Sequence, residues 1–301
     1  MDRQLIPRKF AGAAPQRMPD VPVIDAHVHL WDPQRFRMPW LDDNPQLRRS
    51  FDLTDFAEAS DGLAVDAIVY VEVDVKPAYG LLEARWAADA AERNHQLAGI
   101  VANAPIEDGA TVSSYLDALV QLGPRIKGVR RLIQSEADPE FQVRPGFLEG
   151  LRLLPNYGLS FDICIRHDQL ARSVQMVRAC PDVSFVLDHL GKPNAQSGQL
   201  EPWRDQISEL AELPNVMCKV SGLVTEADHT HWTVADLKPY VLHVLEAFGE
   251  DRVLFGGDWP VVTMAASYRQ WVTSLDQLTS HLSPVARQKL WADNARRVYR
   301  L

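Results

Sequence analysis

The sequence predicts an α/β protein with one (β/α)8 (TIM) barrel domain, and three observations predict it. Eight short apolar runs are each followed by an amphipathic stretch. The unit recurs about every 30 to 40 residues, the size of one strand–helix unit. The length of 301 residues suits one such barrel with modest insertions. The runs read as strands are Val23–Val28, Ala67–Val73, Leu97–Asn103, Ile126–Arg130, Leu159–Arg166, Val183–His189, Val216–Ser221 and Arg252–Gly256. Several are continuously apolar, as AIVYV at 67–71 and SFVLD at 184–188 are. Such runs fit strands covered on both faces in a parallel sheet. An open doubly wound sheet is the alternative, and no GxGxxG follows the first run to support it.

The intervening segments read as helices. Pro77 opens one carrying Leu81, Leu82, Ala84, Trp86 and Ala87. In another, Leu237, Val241, Val244, Leu245 and Phe248 fall on one stripe. Ser283-Pro284 supplies an N-cap and first-turn pair for the last. Residues 1–20 read as an arm with little structure of its own, and 21–301 as the barrel. The longest connection, Leu30–Phe51, directly follows the first strand, where loops build the catalytic face of a barrel. Its Trp31, Phe36, Met38 and Trp40 suit either a packed surface loop or a pocket wall.

Composition excludes several classes. Thirty-one basic against forty acidic residues give a net charge of −9. That surface disfavours nucleic acid and anionic membranes. Cys164, Cys180 and Cys218 are sparse and unpaired in spacing, and read as buried thiols. The N-terminal stretch lacks the apolar core of a secretory signal, and no run approaches the roughly 18 apolar residues of a membrane span. The cytoplasm is the expected compartment. A homo-oligomer is compatible with the sequence, although no stretch marks an interface.

Three segments carry chemistry. In Ile24-Asp25-Ala26-His27-Val28-His29, two histidines one residue apart on a strand point the same way. Neutral imidazoles so placed are ligands for a divalent ion, zinc first. A second buried strand ends in Asp188-His189 before a Gly191-Lys192-Pro193 turn. A third ends in Gly256-Gly257, which permits close backbone approach, followed by Asp258. Taken alone, His189 reads as a core histidine and Asp258 as a helix cap. Three such groups at the ends of strands one, six and eight read as one centre.

The motifs HVHLWD, KGVRRLIQ, VLDHLGKP and LFGGDWPV resemble the amidohydrolase superfamily. They are most similar to its branch of L-fuconolactonases, L-rhamnonolactonases and 2-pyrone-4,6-dicarboxylate lactonases, from about residue 21 to the end. The resemblance implies that His27 and His29 are metal ligands, with Asp258 beside them. It implies that His189 holds the attacking water or polarises the carbonyl, and that Asp258 takes the water's proton and returns it to the leaving group. The arginine of the KG-R segment, Lys127 to Arg131, then contacts substrate. One divalent metal is the implied cofactor, and activity without metal stays open.

Of Arg130 and Arg131 only one can face inward, and Arg130 is the choice. It would bind a substrate oxygen or the developing oxyanion. Glu72 is a candidate acceptor for substrate hydroxyls, or else an outward helix contact. Lys219 carries the same ambiguity. One of Arg166 and His167 is expected in the pocket, with Trp31 in its wall and Trp259 stacked on a sugar ring or packed. The expected reaction is hydrolytic opening of a small-molecule lactone by Asp258-activated water, because no GxSxG or Cys–His nucleophile is evident. Amide hydrolysis, non-oxidative decarboxylation on the same barrel, or a catalytically inactive sugar-acid binder are the alternatives.

Overall fold

Continuous apolar runs become strands buried on both faces. In the computed structural model, which describes residues 18–301, β1 (Val23–Val28) is buried along its whole length. It is followed by β2 (Val65–Val71), β3 (Leu97–Asn103), β4 (Ile126–Arg130), β5 (Ser160–Ile163), β6 (Phe185–Leu187), β7 (Val216–Val220) and β8 (Val253–Phe255). The strands form one parallel sheet in sequence order. Beyond the end of β8, Trp259 pairs in parallel with Val28, the last residue of β1. There Asp258 N–H donates to the His27 carbonyl at 2.8 Å and His29 N–H to that of Trp259 at 2.7 Å. The result is a nearly closed TIM barrel in one domain. Most of the 1–20 arm lies outside the described residues.

The helices α1 (Leu53–Ala59), α2 (Gly80–Arg93), α3 (Ser113–Val120), α4 (Pro145–Leu153), α5 (Leu170–Ala179), α6 (Trp203–Ala211), α7 (Val234–Phe248) and α8 (Tyr268–Thr279) each follow one strand. Local chemistry starts several of them. Asp52 accepts from the Thr54 and Asp55 amides in a capping box at α1, and Ser267 caps α8. Outside the strands, residues such as Phe161, Phe185, Cys218 and Phe255 pack into the main core with the helices. Inside, Ile24, Ala26, Val69, Val71, Val101, Val186, Met217 and Leu254 form a separate apolar cluster. The chain's last helical segments press Ala292, Ala295, Val298 and Tyr299 into that cluster. The barrel therefore has an apolar floor, and its chemistry stands above it.

Several strands end earlier than their apolar runs. The run at 183–189 gives ladder pairing only over Phe185–Leu187. His189 and Leu190 then turn into the left-handed region (φ 54° and 55°). The run at 159–166 likewise narrows to Ser160–Ile163 and that at 252–256 to Val253–Phe255. An apolar sequence cannot signal where the last ladder hydrogen bond falls, because the residues beyond it are still buried in the wall of the site.

Candidate active site

The HxH pair reaches the interior through an irregularity in β1. Ile24 and Ala26 already face the inner cluster, so strict alternation would turn His27 outward. The register between β1 and β2 shifts between Asp25 and Val28. His27 consequently meets Asp188 (Nδ1 to Oδ1, 3.3 Å) and Lys219 (Nδ1 to Nζ, 3.2 Å) inside the barrel. Asp25 faces the other way. It accepts from His27 N–H at 3.0 Å, Gly257 N–H at 2.7 Å and the Tyr268 hydroxyl at 2.8 Å, which ties β1 to the end of β8. A Cβ on Gly257 would lie 2.3 Å from Asp25 Oδ2, so the anticipated close approach at Gly-Gly is made here.

Four side chains converge above this layer. His27 Nε2 and His29 Nε2 are 3.1 Å apart, and Asp258 Oδ1 stands 3.8 and 3.5 Å from them. His189 Nε2 lies 4.0 Å from the same oxygen. His29 Nδ1 is 2.8 Å from the Val71 carbonyl, an acceptor only, so Nδ1 carries a proton and Nε2 is turned to the centre. His189 Nδ1 is fixed by the Ser221 hydroxyl at 2.8 Å. His189 and Asp258 both hold positive φ (54° each), a conformation costly for residues other than glycine. Gly222, itself at φ 59°, makes room for them. A Cβ there would lie 2.5 Å from His189 Nδ1 and 3.1 Å from Asp258 Oδ2.

The protonation states suit the geometry. Burial pushes His189 down to about 4 and His27 well below its ordinary value, so both are neutral at pH 7. Burial alone would raise Asp258, but the charge that His189 and His27 carry once protonated, with a hydrogen bond from His29, outweighs it, so the carboxylate is held well below its usual range and is ionised at pH 7. Neutral nitrogens and an ionised carboxylate are the donor set a zinc-like ion takes. Tetrahedral coordination at about 2.0–2.1 Å per bond puts ligand atoms roughly 3.3 Å apart, and His27, His29 and Asp258 span 3.1 to 3.8 Å. His189 joins His27 and Asp258 in a group that could hold an ion. The residues present fit a divalent metal.

Beneath the centre lies a layer of buried ion pairs. Arg130 faces inward and donates from Nε to Glu72 Oε1 (2.6 Å), from Nη2 to the Glu72 carbonyl (2.6 Å) and from Nη1 to Asp188 Oδ2 (3.1 Å). Arg131 turns outward to Glu107 and Glu136. Lys219 Nζ sits between Asp162 (2.6 Å) and Asp188 (3.1 Å), and the Tyr299 hydroxyl donates to Asp162 at 2.8 Å. Burial opposes the Lys219 charge, but the two aspartates outweigh it and hold its pKa above the ordinary value.

A cavity of about 470 Å³ opens above these groups, lined by His29, Arg130, His189 and Asp258 among others. Trp31 and Trp40 form one wall, so the Leu30–Phe51 connection is a packed pocket wall. A second cavity of about 500 Å³ adjoins it and shares Arg166, Lys192, Thr225 and Glu226. Arg166 borders both cavities and His167 only the outer one.

Two expected substrate contacts lie elsewhere. Glu72 is fully buried, with Oε1 taken by Arg130 and Oε2 by the Asp74 amide at 2.7 Å. It therefore anchors Arg130 and has no oxygen free for substrate. The Trp259 ring is packed edge-on against Phe51 and Phe56, away from the cavity lining. Cys164 was expected only as a buried thiol, yet it lines the cavity and has Asp188 and His189 within 4.8 Å. Burial pushes it up to about 11, so it stays protonated near neutrality. Sequence reasoning passed over Asp162 and gave Asp188 no role of its own beside His189, although a lone charge inside an apolar run is itself a sign of buried pairing.

Fold and centre together define a TIM-barrel enzyme. The chain belongs to the amidohydrolase family (Amidohydro_2), which it matches over residues 24–301. It is 30% identical over 291 residues to L-fucono-1,5-lactonase of Burkholderia ambifaria, an alignment covering 92% of this chain and 95% of the relative. To L-fucono-1,5-lactonase of Burkholderia multivorans it is 37% identical over 191 residues, covering 60% and 64%. A crystal structure of a Burkholderia multivorans amidohydrolase with bound zinc is similar at a TM-score of 0.84 and 29% identity, covering 93% of this chain and 99% of that one. The chain is thus an amidohydrolase-family hydrolase related to sugar lactonases. Among the described residues, no helix is long and apolar enough to cross a membrane.

Proposed function

We propose that this protein hydrolyses a lactone, of the polyhydroxylated sugar-acid class, to the open hydroxy acid. The observation that carries the reading is an ionised Asp258 facing His29 and the neutral His27 and His189 at the floor of a cavity. The lactonase relatives supply the substrate class.

In this mechanism Asp258 accepts a proton from water as the water oxygen bonds to the lactone carbonyl carbon. In the tautomer whose Nδ1 accepts from the Ser221 hydroxyl, His189 presents Nε2–H to the developing oxyanion. Arg130 borders the cavity and adds positive potential there. The ring C–O bond then breaks, and protonated Asp258 returns its proton to the leaving alkoxide. The new carboxylic acid ionises and releases one proton to solvent. His27, His29 and Asp258 would hold a divalent ion, which supplies Lewis-acid polarisation of the carbonyl when bound. Cys164 is no rival nucleophile, because its thiol stays protonated near neutral pH.

The test is a panel read by pH indicator: L-fucono-1,5-lactone, an L-rhamnono-γ-lactone and unsubstituted δ-valerolactone. It is run with and without chelator, with metal content measured on the same sample. Proton release from a lactone supports the reading. Silence on every lactone, with CO2 release from aromatic acids or amine release from amides, would overturn it.

A further inference from the structure

One carboxyl group at the mouth has no role in the chemistry above. Glu226 ends the short turn Leu223–Glu226 that follows β7 and Gly222. It lies in the wall of both cavities, the inner one with His189 and Asp258 and the outer one with His167, Asn194 and His229. Its side chain is half-buried, and no described residue gives it a hydrogen bond or ion pair. The same shared wall carries two cations, Arg166 exposed and Lys192 half-buried. Arg166 donates from Nε to the Gln134 carbonyl at 3.3 Å, and Lys192 donates from Nζ to Gln134 Oε1. Among the described residues, neither has a carboxylate within ion-pair distance. Lys192 is held in the left-handed region (φ 50°), which fixes its backbone at the junction.

Here an acceptor and two donors face one cavity yet do not neutralise one another. Burial pushes the Glu226 carboxyl up, Lys192 and Arg166 pull it back, and Asp258 pushes it up again. A half-buried carboxylate beside cations that it does not touch leaves an opening for a group that donates to one and accepts from the others. An alcohol does both. A carboxylate on the ligand would meet Arg166 and Lys192 favourably, but it would lie against Glu226 with Asp258 also in the wall.

We propose that Glu226 is a specificity-determining residue that accepts hydrogen bonds from substrate hydroxyls remote from the scissile ester, with Lys192 and Arg166 donating to the same hydroxyls. The inference rests on the lactonase reading and deepens it by assigning the residue that distinguishes a hydroxylated lactone from a bare one. A site built to hydrogen-bond a hydroxyl discriminates strongly against the analogue that lacks it.

The experiment compares kcat/KM for L-fucono-1,5-lactone and δ-valerolactone, which share a six-membered ring, in wild type, Glu226→Ala and Glu226→Gln. The expected result is a fall of tenfold or more in the ratio of the two values in Glu226→Ala, carried by KM for the hydroxylated substrate. Glu226→Gln, which keeps the volume and one acceptor, gives a smaller fall and guards against misfolding of the alanine variant. A ratio unchanged within twofold in both variants, or a fall carried wholly by kcat, overturns the assignment. If wild-type protein opens no lactone of the whole panel, the lactonase reading fails first and this inference falls with it. An altered ratio with active wild type separates the two.

Discussion

The barrel interior and the barrel mouth treat charge in opposite ways. Inside, Lys219 is shared by Asp162 and Asp188, and Arg130 by Glu72 and Asp188, all of them buried. At the mouth, Arg166, Lys192 and Glu226 border the cavities without an ion pair among the described residues. Buried charges must be paired because desolvation is costly. Half-exposed charges are hydrated and can exchange that water for ligand. The difference separates residues that hold the centre in shape from residues free to contact what enters it.

The largest expected effect on stability is at Lys219. Lys219→Met removes the cation between two buried carboxylates, and unfolding should become easier by about 3–5 kcal/mol, the usual cost of breaking a buried pair. Urea denaturation measures it. A loss under about 1 kcal/mol would mean that the interior layer is not held by its charges.

A smaller effect depends on pH. His189 in the folded protein titrates at about 4 rather than the ordinary 6.5 because of its burial. The native state therefore resists a proton that the unfolded chain accepts. The stability tied to His189 is fully present above pH 6.5 and is lost as pH falls toward 4. Raised groups such as Asp25, pushed up to about 7 by burial, act with the opposite sign. The useful quantity is thus the difference between ion-free wild type and His189→Gln. Going from pH 7 to pH 4, wild type should lose stability relative to the variant by on the order of 1–3 kcal/mol. A difference that stays flat across that window would show that His189 is not held neutral by burial.

The smallest effect belongs to the mouth. Arg166→Gln should change unfolding free energy by less than about 0.5 kcal/mol, as exposed substitutions without buried partners do. A loss above about 2 kcal/mol would place Arg166 with the interior layer and blur the contrast between the two regions.

The sequence made the barrel legible because burial on both faces leaves unbroken apolar runs, and eight such runs leave few other architectures. It also made His27, His29, His189 and Asp258 legible, because each stands where an apolar run stops. It did not reveal how β1 turns both histidines inward, since the irregularity between Asp25 and Val28 depends on register with β2. The path from Tyr299 through Asp162 and Lys219 to His27 was also hidden. Those residues are far apart in the chain, and only closure of the barrel makes them neighbours. Glu72 and Trp259 were placed on the right segments but with the wrong partners. A strand-end charge or an indole carries no local signal of whether protein or cavity will face it.

The measurement that bears most directly on the account is the rate of lactone opening by Asp258→Asn beside wild type, with folding checked by circular dichroism and thermal melting. Asn tolerates the left-handed backbone that Asp258 adopts at φ 54°, so the variant should fold. Its kcat should fall by about 10²–10⁴-fold, the usual contribution of a general acid–base group. Turnover within twofold of wild type in a folded Asp258→Asn protein would contradict the role given to Asp258.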